Sequence, residues 1–361
     1  MVQLRNSDFY LSRFAHKAPA ILKLLGDVET DFLRTQTRAI DIDRPVFITG
    51  LARAGTTILL NLFSSLPKVG THRYRDYPFL FVPHAWNRFQ DRMAAPQAPV
   101  ERPHKDRIKI TRDSPEAFEE PIWMHFFPFV HDAASHHVLG PAHDNRRFNS
   151  FYLEHLRKIL LLRGGNRYVS KGNYNVTRVH YIAHLLPDAR FVIPIRHPVA
   201  HVASLLRQHA LFTDYSAADP RLPEYLRATG HFEFGPQRIP VNLDDAATRR
   251  ILAAWSQGED DLGYAIMWRS VYEHVRQLTG SGSALAGRIK VVRYEDLCTD
   301  APGTLRELFE FCELTDGVEE LLRHLPEISE PKSVVEVLQP AQRERVWNET
   351  AALAQCFGYR P

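Results

Sequence analysis

Residues 46–63 read VFITGLARAGTTILLNLF, and the order of events in this stretch decides the fold class. Val46-Phe47-Ile48-Thr49 follows Pro45 as a short run in which polar residues do not alternate with apolar ones. A strand without alternation is buried on both faces, the habit of parallel sheets covered by helices. Gly50 closes the run, and TTILLNLFSSL over 56–66 then carries a helical pattern. Between them Gly50 and Gly55 stand at the spacing of the phosphate-loop pattern G-x-x-x-x-G-K-[ST], with Thr57 in the final position. Thr56 occupies the lysine position and Arg53 stands inside the loop.

Working outward, the same unit recurs. Tyr168–Ser170, Phe191–Ile195 and Arg288–Val292 read as further buried strands, and Pro194 argues for an edge or strand-end position. Helical spacing follows each: Val176, Val179, Ala183 and Leu186; Val199, Val202, Ala203 and Leu206; Leu305, Leu308, Phe309 and Cys312. Glu154–Arg163 reads as a helix ended by Gly164-Gly165. Repeated β-α order predicts a three-layer α/β fold of the P-loop type, with a central, mostly parallel sheet and helical or irregular insertions. Ligands of such sheets bind beyond the carboxyl ends of the strands.

The chain reads as a single domain over 1–361. Residues 1–40 form a helical segment interrupted near Pro19, and 78–150 are an insertion rich in Pro, His and aromatics whose prolines argue against long helices. A second insertion spans 212–285. The chain has 361 residues, 44% of them apolar, and a net charge of +3. That balance excludes disorder as the main state and carries no nucleic-acid signature. No transmembrane span is expected, because Arg53 and two glycines interrupt the most apolar stretch. The N-terminal residues lack an apolar signal core. Cys298, Cys312 and Cys356 sit at neither metal nor disulfide-framework spacing. A cytoplasmic location is the expectation.

Three constellations carry chemistry. In the loop, the amides of residues 54–57 (Ala54, Gly55, Thr56 and Thr57) open a helix and can point at a phosphate, with two threonine hydroxyls as further donors and Arg53 supplying the charge. After the strand FVIPI, Arg196-His197-Pro198 opens a helix on which Ser204 lies about two turns in, so Arg196 and Ser204 can grip one anion. Lys171 ends another strand and can neutralise charge on a leaving phosphate. Each also has a structural reading: a glycine corner, an Arg paired with an acid, a surface Lys before a helix. A kinase or other nucleotide phosphotransferase is the rival reading. It requires a loop lysine and a carboxylate holding magnesium, and neither is apparent in the sequence.

Together these segments resemble the sulfotransferases that use 3′-phosphoadenosine 5′-phosphosulfate. FITGLARAGTTILLNLF is similar to that family's 5′-phosphosulfate loop, RHPVAHVASLL to its 3′-phosphate motif, and YVSKGNYNVTRVHYIAHLLPDARFVIPIR to its lysine-bearing strand and helix. IKVVRYEDLCTDAPGTLRELFEFCEL resembles the late strand–helix segment, and the final FGY resembles the usual Leu-Gly-Tyr. The resemblance covers roughly 45–75 and 165–315 and is nearest in flavour to the bacterial group related to tyrosylprotein and carbohydrate sulfotransferases. It implies that Arg53, Ala54, Gly55, Thr56 and Thr57 hold the 5′-phosphosulfate, that Arg196 and Ser204 hold the 3′-phosphate, and that Lys171 stabilises the bridging oxygen. It also implies that no metal is needed and that adenosine 3′,5′-bisphosphate is the second product. The acceptor would be a small molecule, carbohydrate or lipid, lined by the two insertions, whose aromatics include Phe126, Phe127, Phe129, Trp255 and Trp268. Its identity and the oligomeric state are not legible here, and an inactive relative that only binds the donor stays open.

The proton acceptor is where the pattern departs. The family's cytosolic small-molecule branch has a His two residues after the strand-end Lys, but Asn173 stands there, and Asn accepts no proton at neutral pH. In the tyrosylprotein and carbohydrate branches a carboxylate shortly after the loop's helix serves, and the corresponding stretch is THRYRDY over 71–77. Asp76 and His72 are the candidates there. Arg73 and Arg75 flank Asp76, which would orient it but weaken it as a base. Glu116, Glu119 and Glu120 in DSPEAFEEPIW form a second group, expected on a helix capped by Ser114 with Pro115 in its first turn. Acids at a helix start also have a structural reason in the helix dipole. Tyr294-Glu295-Asp296 reads as a cap for the helix after it, and the run from His104 to Lys109 reads as a solvated face able to steer an acidic acceptor. Lys332-Ser333 stand where late Ser or basic residues approach the cofactor in relatives.

Overall fold

A computed structural model describes residues 4–93, 98–106, 108–326, 328–329 and 335–361; Lys332 and Ser333 lie outside them. Its strands are β1 (Val46–Ile48), β2 (Val69–Gly70), β3 (Val100–Glu101), β4 (Lys109–Ile110), β5 (Arg167–Lys171), β6 (Arg190–Ile195) and β7 (Ile289–Arg293). Five form one parallel sheet in the order β2-β5-β1-β6-β7, while β3 and β4 pair as a separate antiparallel hairpin.

Side-chain alternation explains why both sheet faces are covered. Phe47 points into one layer, packed with Tyr168, Phe191 and Ile193, whereas Val46 and Ile48 point into the other with Val169 and Val192. That second layer is closed by Leu59, Leu60 and Phe63 of helix Thr56–Ser64 and by Leu305, Leu308 and Phe309 of helix Ala301–Phe311. All these residues are essentially inaccessible to water. β6 is an interior strand despite Pro194. Its pairing with β1 stops at Val192, so two residues later, on the same side, no strand waits for the missing amide donor.

The remaining elements depart from expectation in instructive ways. Residues 6–38 are two helices, Asn6–Lys17 and Pro19–Arg38, and Pro19 opens the second one. The helix expected from 154 begins at Arg146, because Phe148, Phe151 and Tyr152 already lie on its buried face and Asn145 caps it by accepting from the Phe148 amide at 3.1 Å. The 78–150 insertion contains an eleven-residue helix, Pro83–Met93, between its prolines. The helix expected from Ser114 starts only at Glu120. Ser114 Oγ instead accepts from the Thr111 amide at 2.9 Å, Pro115 bridges to Arg73, and the Glu116 amide donates to His72 O at 3.0 Å, so 114–116 is extended chain. No helix among the described residues is long and apolar enough to cross a membrane.

Candidate functional site

The three constellations converge because their strands are neighbours. β1 lies between β5 and β6, with Ile48 in register with both Lys171 and Val192. The loop after β1, the Lys at the end of β5 and the Arg after β6 therefore share one sheet edge. Gly50 and Gly55 take φ values of +123° and +103°. At Gly55 a Cβ would stand 2.8 Å from the Tyr294 ring, so only glycine allows the loop to lie on that ring. Arg53 is left-handed too, at φ +72°, a conformation that costs a non-glycine residue about 1–2 kcal/mol. The first-turn amides of helix Thr56–Ser64 receive no side-chain cap, which leaves them as donors for an anion.

Side chains complete a cationic cradle. Arg53 Nε donates to Ser204 Oγ at 3.4 Å, which joins the first two constellations. Arg196 is buried, and its guanidinium lies 5.0 Å from the centroid of the Tyr294 ring that supports Gly55. His201 Nε2–H donates to Ala52 O at 2.8 Å, and burial holds the ring neutral, pulling its pKa down to about 3.

Two residues that sequence reasoning left aside also reach the cradle. Arg102 Nη1 donates to Thr57 Oγ1 at 3.2 Å, and Asp106 accepts from Arg53 Nη1 at 2.8 Å and from Arg102 Nε at 2.9 Å. Burial raises the Asp106 pKa, but the Arg102 hydrogen bond and the charges of Arg102 and Arg53 outweigh it and hold the carboxyl well below its ordinary range. Within the run from His104 to Lys109, Lys105 and Lys109 are exposed as expected, but His104 is clasped by Gln208 and Asp106 folds onto the phosphate loop. Tyr294-Glu295-Asp296 does not cap its helix. Glu295 instead accepts from the His197 amide and from the Tyr359 hydroxyl, both at 2.8 Å, so the C-terminal FGY braces the turn that carries Arg196.

Beside the cradle opens a cavity of about 590 Å³. Tyr74, Tyr77, Phe118, Phe212, Tyr225 and Phe234 are among its walls, and Lys171, Glu116, His231 and Glu233 are among its polar groups. Both insertions contribute, but Phe126, Phe127, Phe129, Trp255 and Trp268 do not line it. Phe126 and Phe127 pack on Phe148, Trp268 is fully buried, and Trp255 stacks on Arg238. Lys171 Nζ lies 3.4 Å from Glu116 Oε1, and Tyr74 donates to Glu116 Oε2 at 2.6 Å. Burial raises the Glu116 pKa, yet Lys171, Arg102 and the Tyr74 hydroxyl bring it far below its ordinary value.

His231 was missed by sequence reasoning, although His231-x-Glu233 in extended chain turns both side chains to one side. Its Nδ1 lies 3.7 Å from Glu233 Oε2, and Asn173 Nδ2 donates to Glu233 Oε1 at 2.7 Å. Burial lowers the His231 pKa, but Glu233 and the nearby Glu116 more than compensate, against Lys171, and the net shift is upward. Glu233 itself is brought down to about 2, burial opposing and His231 prevailing.

The other candidate bases occupy sealed positions. Asp76 is 0% exposed; both its oxygens lie 2.6 Å from Arg163 Nη2, and it accepts from Asn87 and from the Arg73 amide at 2.8 Å each. The flanking Arg75 turns away to Asp91 and Asp113. His72 is buried against His155, Nε2 to Nε2 at 3.0 Å. Glu119 accepts from the hydroxyls of Tyr152 and Tyr168, and Glu120 is held by both Arg178 amino groups at 2.9 and 2.6 Å and by His131. None of these four lines the cavity, so none meets a ligand there; Glu116 does.

Comparison with known proteins agrees with this geometry. The model of the sulfotransferase family (Sulfotransfer_3) matches residues 45–239, more than half of the chain. No curated protein matches the sequence. The fold is similar to that of sulfotransferase STF9 from Mycobacterium avium, at 16% identity and a TM-score of 0.52 over 92% of this chain and 82% of that one. It is similar also to sulfotransferase STF1 from Mycobacterium tuberculosis H37Rv, at 17% identity and a TM-score of 0.51 over 94% and 85%.

Proposed function

This chain belongs to the sulfotransferase family, and from that premise we propose that it moves a sulfuryl group from 3′-phosphoadenosine 5′-phosphosulfate to a hydroxyl of an apolar, small-molecule acceptor by in-line displacement. The observation that carries the reading is the convergence, on one edge of β5, β1 and β6, of a phosphate loop, the Arg196–Ser204 pair and Lys171, with an aromatic-walled cavity ending at Lys171. The uncapped amides, the glycine-only approach at Gly55 and a carboxylate drawn onto Arg53 and Arg102 fit an anionic group at the loop.

The donor supplies a sulfuryl group already activated on a phosphate leaving group. Residues 54–57, with Arg53, would hold its 5′ end, and Arg196 with Ser204 its 3′-phosphate. Lys171, aimed by Glu116, offers its ammonium to the oxygen on which charge develops. Glu116 is a poor base, because its proton affinity is depressed. His231 suits the task better: Glu233 engages Nδ1, Nε2 is left to take the acceptor's proton, and Glu233 and Glu116 raise the proton affinity of the ring against burial. The aromatic walls favour a phenol or other apolar alcohol over a sugar.

Thermal stabilisation by adenosine 3′,5′-bisphosphate, compared with ATP plus magnesium, tests the donor. At one hundred times its dissociation constant the bisphosphate should add about 2.7 kcal/mol, and Arg196→Ala should abolish the shift. A magnesium-dependent shift with ATP and none with the bisphosphate would replace this reading with a phosphotransferase.

A further inference from the structure

Arg102 belongs to none of the three motifs, yet its side chain is only 5% exposed and touches the phosphate loop at Thr57. It arrives on the β3–β4 hairpin, where charged groups crowd one place. Arg53, Arg102 and Arg196 stand close together: burial pulls Arg53 below its ordinary pKa, Asp106 opposes it, and the other two guanidinium charges add to the fall. Against them stands Asp106, shared by Arg53 and Arg102, while Glu116 is engaged by Lys171 and Tyr74. Guanidinium groups gathered out of water need an anion. The single carboxylate shared by Arg53 and Arg102 neutralises that pair only in part, so the cradle retains appetite for a more highly charged group.

We propose that Arg102 is a donor-binding residue and that the Asp106 carboxylate is a placeholder, occupying the cradle until the phosphosulfate end of the donor displaces it. The proposal rests on the donor assignment made above. The hairpin is suited to the exchange. β3 and β4 pair over only two residues each, a ladder too short to be stable by itself. Its attachment to helix Pro198–Ala218 runs through His104 and Gln208, before Asp106 in the chain. Asp106 can therefore withdraw while Arg102 stays on Thr57, where it would join Arg53 on the incoming anion.

Calorimetric titration of adenosine 3′,5′-bisphosphate into the full chain tests this with Asp106→Asn and Arg102→Gln, alongside ligand-free melting. Asp106→Asn should bind about tenfold more tightly or better and yet melt lower without ligand, because the competing anion and the internal neutralisation vanish together. Arg102→Gln should bind about tenfold more weakly and flatten the salt dependence. Equal or weaker binding by Asp106→Asn makes Asp106 a mere positioner of the arginines and overturns the proposal, as does unchanged affinity in Arg102→Gln. Should Asp106→Asn fail to fold, Arg102→Gln decides alone. Absence of binding by the wild type would instead overturn the donor assignment, and this proposal with it.

Discussion

Two sets of largely buried carboxylates surround the cavity and its supports, and they are built differently. Asp76, Glu119 and Glu120 are each saturated by groups that face nothing but protein: Arg163 and Asn87, two tyrosine hydroxyls, Arg178 and His131. Glu116 and Glu233 are as heavily partnered, but their partners, Lys171 and His231, line the cavity with them. The first set fastens loops to the sheet. On the proposed reading the second acts at one remove, orienting an amino group and an imidazole that border the cavity. Heavy burial is common to both sets, and a depressed pKa occurs in both, at Asp76 and Glu120 in the first and at Glu116 and Glu233 in the second, so neither property marks chemistry; what marks it is where the partner points.

The sharpest way to break this comparison is to remove the partners on the cavity side. His231→Asn and Lys171→Met should each lower turnover by about 10²–10⁴, in the range of lost general-base or charge stabilisation, with folding nearly unchanged. Steady-state rates with labelled donor, read beside melting curves, would reveal retained activity and so dissolve the distinction. Asp76→Ala should do the reverse. It strands Arg163 and should cost about 3–5 kcal/mol in urea unfolding, with bisphosphate affinity unchanged in the folded protein. Glu233→Gln is subtler, lowering turnover about tenfold, and its better readout is pH. Neutral His231 is the active form, so kcat/KM rises with pH through its pKa; Glu233 and Glu116 lift that pKa against burial and Lys171. Without the Glu233 charge, the rising limb should move to lower pH, and an unmoved limb would remove His231 from the role. Smallest of all, Glu119→Gln keeps an acceptor for one tyrosine and turns an amide N–H to the other, whose hydroxyl must then accept, and should cost about 1–2 kcal/mol with no kinetic change.

What could be read from the sequence follows the same division. The phosphate loop is legible because a contiguous backbone builds it, and β1, β5, β6 and β7 are legible because strands buried on both faces lose their alternation. Arg196, Ser204 and Lys171 follow from these, since each sits a fixed distance after a strand. The grouping on the cavity side was not legible, because Glu116, Lys171 and the His231–Glu233 pair come from three separate segments. Asp76 invited selection as a base by its two flanking arginines, yet the cation that claims it is Arg163, on a helix far along the chain. His231 and Arg102 gain their meaning only when the two insertions fold back over the sheet edge, which no local spacing encodes.

The central claim is tested most directly by following sulfur. The chain would be incubated with 3′-phosphoadenosine 5′-phosphosulfate labelled in its sulfuryl group and a panel of phenols, long-chain alcohols and sugars. The account predicts label on an apolar hydroxyl compound, release of adenosine 3′,5′-bisphosphate in equal amount, and loss of both in Lys171→Met. Bisphosphate binding without transfer to any acceptor, or transfer that survives Lys171→Met, would contradict it.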